Sequence, residues 1–252
     1  MNIFNCDLDN TLIYSYKKNI GEYKKCVEVY NKKQISFMSI KSLKLLKKVI
    51  NNVCFVPTTT RSVKQYKRIY FESILPPKYA LAANGGILIK NNKIDEKWYK
   101  DSLNMIKPCM DTFKHAYNIL KYDKNVCFEI RLVDGLFLFT KSKNAEETIK
   151  NLKKHIDLNI ADVLENGVKI YVMPKQLNKG NAVKRLKIKL NAKYIIAAGD
   201  SEFDISMLNF SDFMFLPKHL KNKVENKNKA VIVDDKLNLF SDVILETISR
   251  QF

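Results

Sequence analysis

The chain has 252 residues, 46% of them hydrophobic, enough for one large domain or for a core with a smaller insert. Its net charge of +18 is nearly all lysine, scattered through stretches such as YKKNIGEYKK and HLKNKVENKNK, with arginine only at positions 61, 68, 131, 185 and 250; this speaks against a nucleic-acid surface, which leans on arginine. No apolar run approaches the roughly 18–20 residues of a membrane span, the start lacks the basic-then-apolar pattern of a signal peptide, and five cysteines without a CxxC pair read as reduced thiols, so a cytoplasmic protein is expected.

The first apolar run, 2–8 (NIFNCDL), has the composition of a buried parallel strand and stops on Asp7 and Asp9, with Thr11 just beyond. A small hairpin is expected at 26–38 (CVEVYNKKQISFM). In 39–50 the spacing of Ile40, Leu43, Leu46 and Ile50 predicts a helix. A second buried strand, 53–58, ends in Thr58, Thr59, Thr60 and Arg61. Ser62 followed by Gln65 forms a capping box that opens a helix to about residue 73. A third core strand, 79–83, runs into Asn84-Gly85-Gly86.

From residue 90 the pattern changes. A helix at about 101–121 is followed by two strand-like runs around Asp134-Gly135, a helix at about 144–156, and two more runs around Asn166-Gly167. Asp-Gly and Asn-Gly are strong hairpin signals because both turn residues need positive φ. Alternation along these strands sets Glu129, Arg131, Lys169 and Tyr171 opposite Phe128, Ile130, Leu132, Ile170 and Val172, a polar face that either meets a ligand or is solvated. Beyond the insert come Lys179 in LNKGNAVKRL, then a strand at 194–199 ending in Asp200 and Ser201 with Asp204 one turn on, and strands at 212–216 and 230–234. Strands alternating with helices predict an α/β fold. The expected architecture is a Rossmann-like doubly wound parallel sheet core, residues 1–89 and 173–252, with an inserted α+β domain at 90–172 built as helix, hairpin, helix, hairpin.

In open α/β sheets, ligands collect at the carboxyl ends of the strands. Asp7, Asp9, Asp200 and Asp204 all fall at such ends. At about 4 Å and an effective dielectric near 20, each like-charged pair costs roughly 4 kcal/mol. Such a site must hold a cation or keep a proton on one acid. The donors are hard oxygens, and the histidines at 115, 155 and 219 lie away from these ends, so Mg²⁺ fits better than zinc. Lys179 would add a positive charge for an anionic substrate.

These residues resemble the haloacid dehalogenase-like (HAD) superfamily of phosphohydrolases. Asp7-Leu8-Asp9-Asn10-Thr11-Leu12 is similar to DxDxT, Thr59-Thr60-Arg61 falls at the family's hydroxyl position, Lys179-Gly180 at its lysine, and Gly199-Asp200-Ser201-Glu202-Phe203-Asp204 is similar to GDSxxD. The insert, with Asn84-Gly85-Gly86 before it, resembles the α/β cap of the Cof-type and sucrose-phosphate-phosphatase-like branch. Asn10 departs from the glycine common at its position, Thr60 from the glycine of a TGR-like motif, and Phe203 from asparagine. The resemblance implies that Asp7 attacks phosphorus to form an aspartyl-phosphate and that Asp9 is general acid, then general base. Thr59, with Thr60 and Asn84 beside it, and Lys179 would bind the phosphoryl group. Mg²⁺ would be held by Asp7, the Asp9 carbonyl and Asp200, with Asp204 placing Lys179 or a water beside the metal. A Mg²⁺-dependent phosphatase acting on a small phosphorylated metabolite, with a sugar phosphate as the family-level expectation, is the reading adopted. A phosphomutase on the same scaffold and a basic nucleic-acid-binding module are the alternatives, and the oligomeric state is left open.

Overall fold

The computed structural model describes residues 1–71 and 75–252. In chain order the elements are β1 (Asn2–Cys6), β2 (Tyr14–Ser15), β3 (Lys24–Tyr30), β4 (Lys33–Ser39), α1 (Ile40–Val49), β5 (Cys54–Pro57), α2 (Val63–Tyr66), β6 (Tyr79–Ala82), β7 (Ile87–Lys90) and β8 (Lys93–Ile94). Then come α3 (Glu96–Ile106), α4 (Met110–Tyr122), β9 (Arg131–Val133), β10 (Phe137–Lys141), α5 (Ala145–His155), β11 (Ala161–Asn166) and β12 (Lys169–Pro174). The chain closes with α6 (Lys179–Leu190), β13 (Tyr194–Ala198), α7 (Ile205–Phe210), β14 (Phe213–Pro217), β15 (Ala230–Val233) and α8 (Phe240–Gln251). Two compact units result: Met1–Asp95 with Lys179–Phe252, and Glu96–Asn178.

The first unit is built on a five-stranded parallel sheet in the order β15-β14-β13-β1-β5. Ile3, Phe4, Asn5 and Cys6 of β1 are all fully buried, as a central strand covered on both faces must be. The non-consecutive order brings the ends of β1 and β13 side by side although they are far apart in sequence. The hairpin expected at 26–38 forms as β3 and β4, turning through Asn31 and Lys32 at φ 48° and 62°. On α1 the buried residues include Leu43, Leu46 and Val49, whereas Ile50 is 38% exposed because the helix has ended there.

Two expectations for this unit are corrected. The strand at 79–83 does not extend the parallel sheet. β6 pairs antiparallel with β7 in a separate three-stranded sheet, because Ala83, Asn84 and Gly85, at φ 49°, 57° and 86°, fold the chain straight back. An isolated parallel bridge, Thr58 to Leu81, joins it to the end of β5. The Ser62–Gln65 capping box is present, but α2 stops at Tyr66 instead of running to about 73. Ile69 bridges Glu28 and the Tyr70 N–H bonds the Val27 carbonyl, so the chain leaves the helix to pair with β3; residues 72–74 lie outside the described residues. The two compact units divide at 95/96 and 178/179, and β8, paired with β7, stays with the first.

The second unit is a four-stranded antiparallel sheet in the order β11-β12-β10-β9 with helices α4 and α5. Phe113, Ala116 and Leu120 of α4 and Leu152 of α5 are buried, as are Leu138, Val163, Ile170 and Val172 of the sheet. The helix expected at 101–121 is two, because a 3₁₀ turn at Lys107–Cys109 contains Pro108, whose ring clashes with the carbonyl four residues back. The run from 126 shortens to Arg131–Val133, and Leu132 is 46% exposed. Before it, the Cys127 N–H goes to the Lys141 carbonyl and the Phe128 carbonyl accepts from Thr140 Oγ1, replacing ladder bonds. The second hairpin turns one residue later than Asn166-Gly167. Asn166 pairs with Lys169, so Gly167 and Val168 form the turn, with only Gly167 at positive φ, 59°. No helix among the described residues is long and apolar enough to cross a membrane.

Candidate active site

The site starts where β1 ends. The Asp7 N–H continues the parallel ladder by donating to the Ala198 carbonyl at 2.9 Å, which fixes its backbone beside the end of β13. The chain then turns sharply: the Leu12 and Ile13 N–H groups return to the Leu8 carbonyl, and Asn10 sits at φ 60°. Asparagine is among the residues that tolerate this left-handed conformation, which explains why it can stand where glycine is common. Thr11 Oγ1 donates to Asp200 Oδ1 at 3.0 Å, and the Thr11 carbonyl accepts from Tyr14 Oη, which itself takes the Ser241 N–H. The hydroxyl of the first motif thus orients the carboxylate of the last.

Lys179, at the start of α6, is 1% exposed, and its Nζ lies 2.5 Å from Asp7 Oδ1 and 2.5 Å from Asp204 Oδ1. The other Asp204 oxygen accepts the N–H groups of Asp200 and Ser201 and the Ser201 hydroxyl at 3.1, 3.0 and 2.8 Å. Two glycines permit this closeness. A Cβ on Gly199 would stand 2.3 Å from Asp204 Cβ, and one on Gly180 would stand 2.4 Å from the Ser206 carbonyl oxygen. His219 Nε2 lies 2.9 Å from the Asp200 carbonyl, so that nitrogen donates there.

Asp7, Asp200 and Asp204 each place a carboxylate oxygen within 4.8 Å of the others. At an effective dielectric near 20, each such pair repels by roughly 3–4 kcal/mol. Burial pushes the Asp7 carboxyl well above the usual range; Lys179 opposes, and Asp204 and Asp200 add to the rise. Burial, then Asp204, pushes Asp200 up to about 7 against the Thr11 hydrogen bond and Lys179. Burial lowers the Lys179 ammonium, but Asp204 and Asp7 outweigh it and hold it above its ordinary value. Three buried or half-buried acids facing one lysine are the environment that a divalent cation relieves, and an all-oxygen donor set suits a hard one.

Asp9 lies outside this trio, with its side chain 52% exposed. Both of its oxygens are taken by Arg61, from Nε and a terminal nitrogen at 2.7 Å each. Thr59 is buried and its Oγ1 accepts the Arg61 N–H at 3.1 Å, while Thr58 Oγ1 is engaged by Asn5 Nδ2 at 3.0 Å. Thr60 is half-buried beside them. The Asn84 N–H donates to the Thr59 carbonyl at 2.9 Å and the Ala83 N–H to the Arg61 carbonyl at 2.7 Å, so the strained Ala83–Gly85 turn clamps the threonine loop.

In the second unit the four sequence candidates do not form a uniform polar face. Glu129 and Arg131 pair with each other, and Lys169 is exposed. Tyr171 is buried in an aromatic cluster, its ring centroid 5.2 Å from Phe139 and 6.3 Å from Phe137. Register explains this: Phe139 lies opposite both Arg131 and Tyr171, so one row across the face mixes a charged side chain with aromatic ones. The sequence reading gave no role to Arg61, Glu28 or His219; Arg61 stood in view at the end of TTTR, but its partners did not.

Comparison with known proteins places the chain in a family. Residues 95–238 match the family model for haloacid dehalogenase-like hydrolases. The chain is 30% identical over 211 residues to a phosphoglycolate phosphatase of Sulfurisphaera tokodaii, covering 82% of this chain and 76% of that protein. A phosphoglycolate phosphatase of Picrophilus torridus is 26% identical over 155 residues, 61% of each chain. Among solved structures, the sucrose-phosphatase of Synechocystis, bound to sucrose and phosphate, superposes with a TM-score of 0.67 at 16% identity, covering 98% of this chain and 96% of that one. A trehalose-6-phosphate phosphatase related protein gives 0.57 at 14% identity over 99% and 97%. The chain belongs to the haloacid dehalogenase-like hydrolase family.

Proposed function

We propose that this protein is a Mg²⁺-dependent phosphatase that hydrolyses a small phosphate monoester through a phosphorylated Asp7. The observation that carries the reading is the buried Asp7 carboxylate, with one oxygen 2.5 Å from Lys179 and an oxygen within 4.8 Å of both Asp200 and Asp204. An Asp7 oxygen attacks phosphorus and the ester P–O bond breaks, with Asp9 supplying the proton to the departing oxygen. Asp9 then takes a proton from water, whose oxygen attacks the same phosphorus, and the Asp7–phosphorus bond breaks to give inorganic phosphate. Lys179 favours the ionised form of Asp7 and neutralises charge on the phosphoryl oxygens. Thr59, with Thr60 and Asn84 beside it, donates hydrogen bonds to those oxygens. Asp7, the Asp9 carbonyl and Asp200 would supply the oxygens for Mg²⁺, with Asp204 beside them placing Lys179 or a water; the metal would neutralise phosphoryl charge and polarise phosphorus for attack.

The curated relatives are named for phosphoglycolate and the superposed structures for sugar phosphates, so small phosphorylated acids and sugar phosphates head the substrate list. We read Glu96–Asn178 as the family's inserted cap, with Glu129, Arg131, Lys169 and Tyr171 as its candidates for substrate choice. The test is phosphate release from a panel containing phosphoglycolate, sugar phosphates and p-nitrophenyl phosphate, with wild type and Asp7→Asn side by side. Wild type should turn over at least one of them only with Mg²⁺ present. Asp7→Asn should turn over none, and hydrolysis by that variant at the wild-type rate would refute the assignment.

A further inference from the structure

Glu28 is a charged side chain with no exposed surface, on a strand that belongs to none of the motifs. It sits where the β3–β4 ladder slips: the register shifts on both sides of Glu28, and the consecutive residues Val27 and Glu28 are both buried. A regular strand would turn one of them outward; a bulge re-aims a side chain. The re-aimed carboxylate accepts Ser36 Oγ at 2.6 Å, an Arg61 terminal nitrogen at 2.9 Å and Arg68 Nε at 3.0 Å. Arg68 also lies 4.5 Å over the Tyr30 ring. Arg61 is therefore held from behind by Glu28 on one nitrogen, which leaves its other edge, Nε and the second terminal nitrogen, to grip both oxygens of Asp9 at 2.7 Å.

Buried ion pairs are weak contributors to stability, and apolar residues often replace them without loss. An Arg between two carboxylates, tied to a strand irregularity and ending on a half-exposed acid, is better explained by geometry. We propose that Arg61 is a positioning residue for Asp9, and that the bulged hairpin, through Glu28, sets the angle at which Arg61 presents its fork. This rests on the proposed function, in which Asp9 carries the protons. The planar guanidinium restricts an otherwise mobile carboxylate to one plane. When Asp9 holds a proton on one oxygen, the other oxygen keeps its bond to Arg61, so the aim survives the proton transfer. Lysine, with a compact charge and no fork, cannot do this.

The leaving group provides a readout that a purely structural role would not move. p-Nitrophenolate departs without a proton, whereas an alkoxide needs one. Full-length wild type, Arg61→Gln, Arg61→Lys, Glu28→Gln, Asp9→Asn and the Asp9→Asn/Arg61→Gln pair are compared with Mg²⁺ on p-nitrophenyl phosphate and on glycerol 2-phosphate. Asp9 also serves the dephosphorylation that both substrates share, so the comparison is made on kcat/KM, which reports the leaving-group step alone. Arg61→Gln should lower kcat/KM on glycerol 2-phosphate by about 100-fold, the lower range of acid–base catalysis, and far less on p-nitrophenyl phosphate. Arg61→Lys should fall between, and Glu28→Gln should show the same preference more weakly. Added to Asp9→Asn, Arg61→Gln should cost nothing further, because the residue it aims is gone. Equal losses of kcat/KM on both substrates, or losses that add in the double variant, would overturn the proposal. If Glu28→Gln does not fold, Arg61→Lys still decides the matter. Asp7→Asn run in parallel separates the two claims: activity there refutes the phosphatase reading itself, whatever Arg61→Gln does.

Discussion

Lys179→Met removes one ammonium from between two carboxylates and leaves the side-chain volume nearly intact. Nζ stands 2.5 Å from Asp7 Oδ1 and 2.5 Å from Asp204 Oδ1, with the lysine 1% exposed. At an effective dielectric near 20 each contact is worth about 7 kcal/mol of bare attraction. The ammonium's own desolvation offsets much of that, and breaking a buried pair costs about 3–5 kcal/mol in practice. Without Lys179, Asp7, Asp200 and Asp204 have lost the cation that faces them, and the cheapest response is for one to take up a proton. Burial already raises Asp7, and Lys179 is the leading influence against that rise, so its loss raises Asp7 further and favours the protonated nucleophile. The same 3–5 kcal/mol expressed in the barrier is roughly 10²–10⁴-fold in kcat. The assay is p-nitrophenyl phosphate hydrolysis at saturating Mg²⁺ from pH 6 to 9, with urea unfolding alongside. The deficit should be largest at low pH and shrink as pH rises, because hydroxide restores the ionised Asp7. A variant within tenfold of wild type at every pH, with unchanged stability, would refute this account of the lysine.

Thermal unfolding of the metal-free protein should depend on pH through Asp200. Its folded-state titration at about 7 lies above the unfolded carboxylate, so its stabilising contribution is complete below about pH 4 and is lost as pH rises through about 7. Mg²⁺ binds the ionised acids, so it should stabilise more at pH 8 than at pH 5. At a hundredfold excess over Kd the gain is about 2.7 kcal/mol, or roughly 5–10 °C in Tm; a Tm indifferent to Mg²⁺ at pH 8 contradicts the metal site. Gly199→Ala sets a Cβ 2.3 Å from Asp204 Cβ and should cost about 1–3 kcal/mol or more while displacing Asp204 from Lys179. Kinetics should show kcat falling at least tenfold, and a fully active Gly199→Ala would mean that the Asp204 geometry is dispensable. Thr11→Val deletes the 3.0 Å hydrogen bond to Asp200 and should weaken Mg²⁺ affinity measured by titration, with little change in kcat once metal saturates.

What the sequence disclosed was local. DLDNT after an apolar run, Lys179 opening a helix and GDSEFD closing a strand are each short signals whose strands the parallel sheet then aligns, so the trio of acids and the lysine could be named in advance. Pro108 splits the helix expected from 101, a break that the proline itself signals. The hairpin at 166–169 turns one residue later than Asn-Gly suggests, because glycine can lead a two-residue turn as well as follow asparagine. Other features had no local signal. Glu28 faces Arg61 only because a register slip turns it inward, and nothing in KKCVEVY announces the slip. Tyr171 alternates as a polar-face residue by position, yet Phe137 and Phe139 on the neighbouring strand bury it. The pairing of β6 with β7 likewise depends on three successive positive-φ residues, two of them not glycine.

The central claim is that Asp7 becomes phosphorylated. Its most direct measurement is mass spectrometry of acid-quenched protein after brief turnover with Mg²⁺ and p-nitrophenyl phosphate, in the Asp9→Asn background where dephosphorylation lacks its base. The account predicts a phosphoryl adduct on the peptide containing Asp7 that disappears in Asp7→Asn. Product release with no adduct on that peptide, or an adduct that persists in Asp7→Asn, would contradict it.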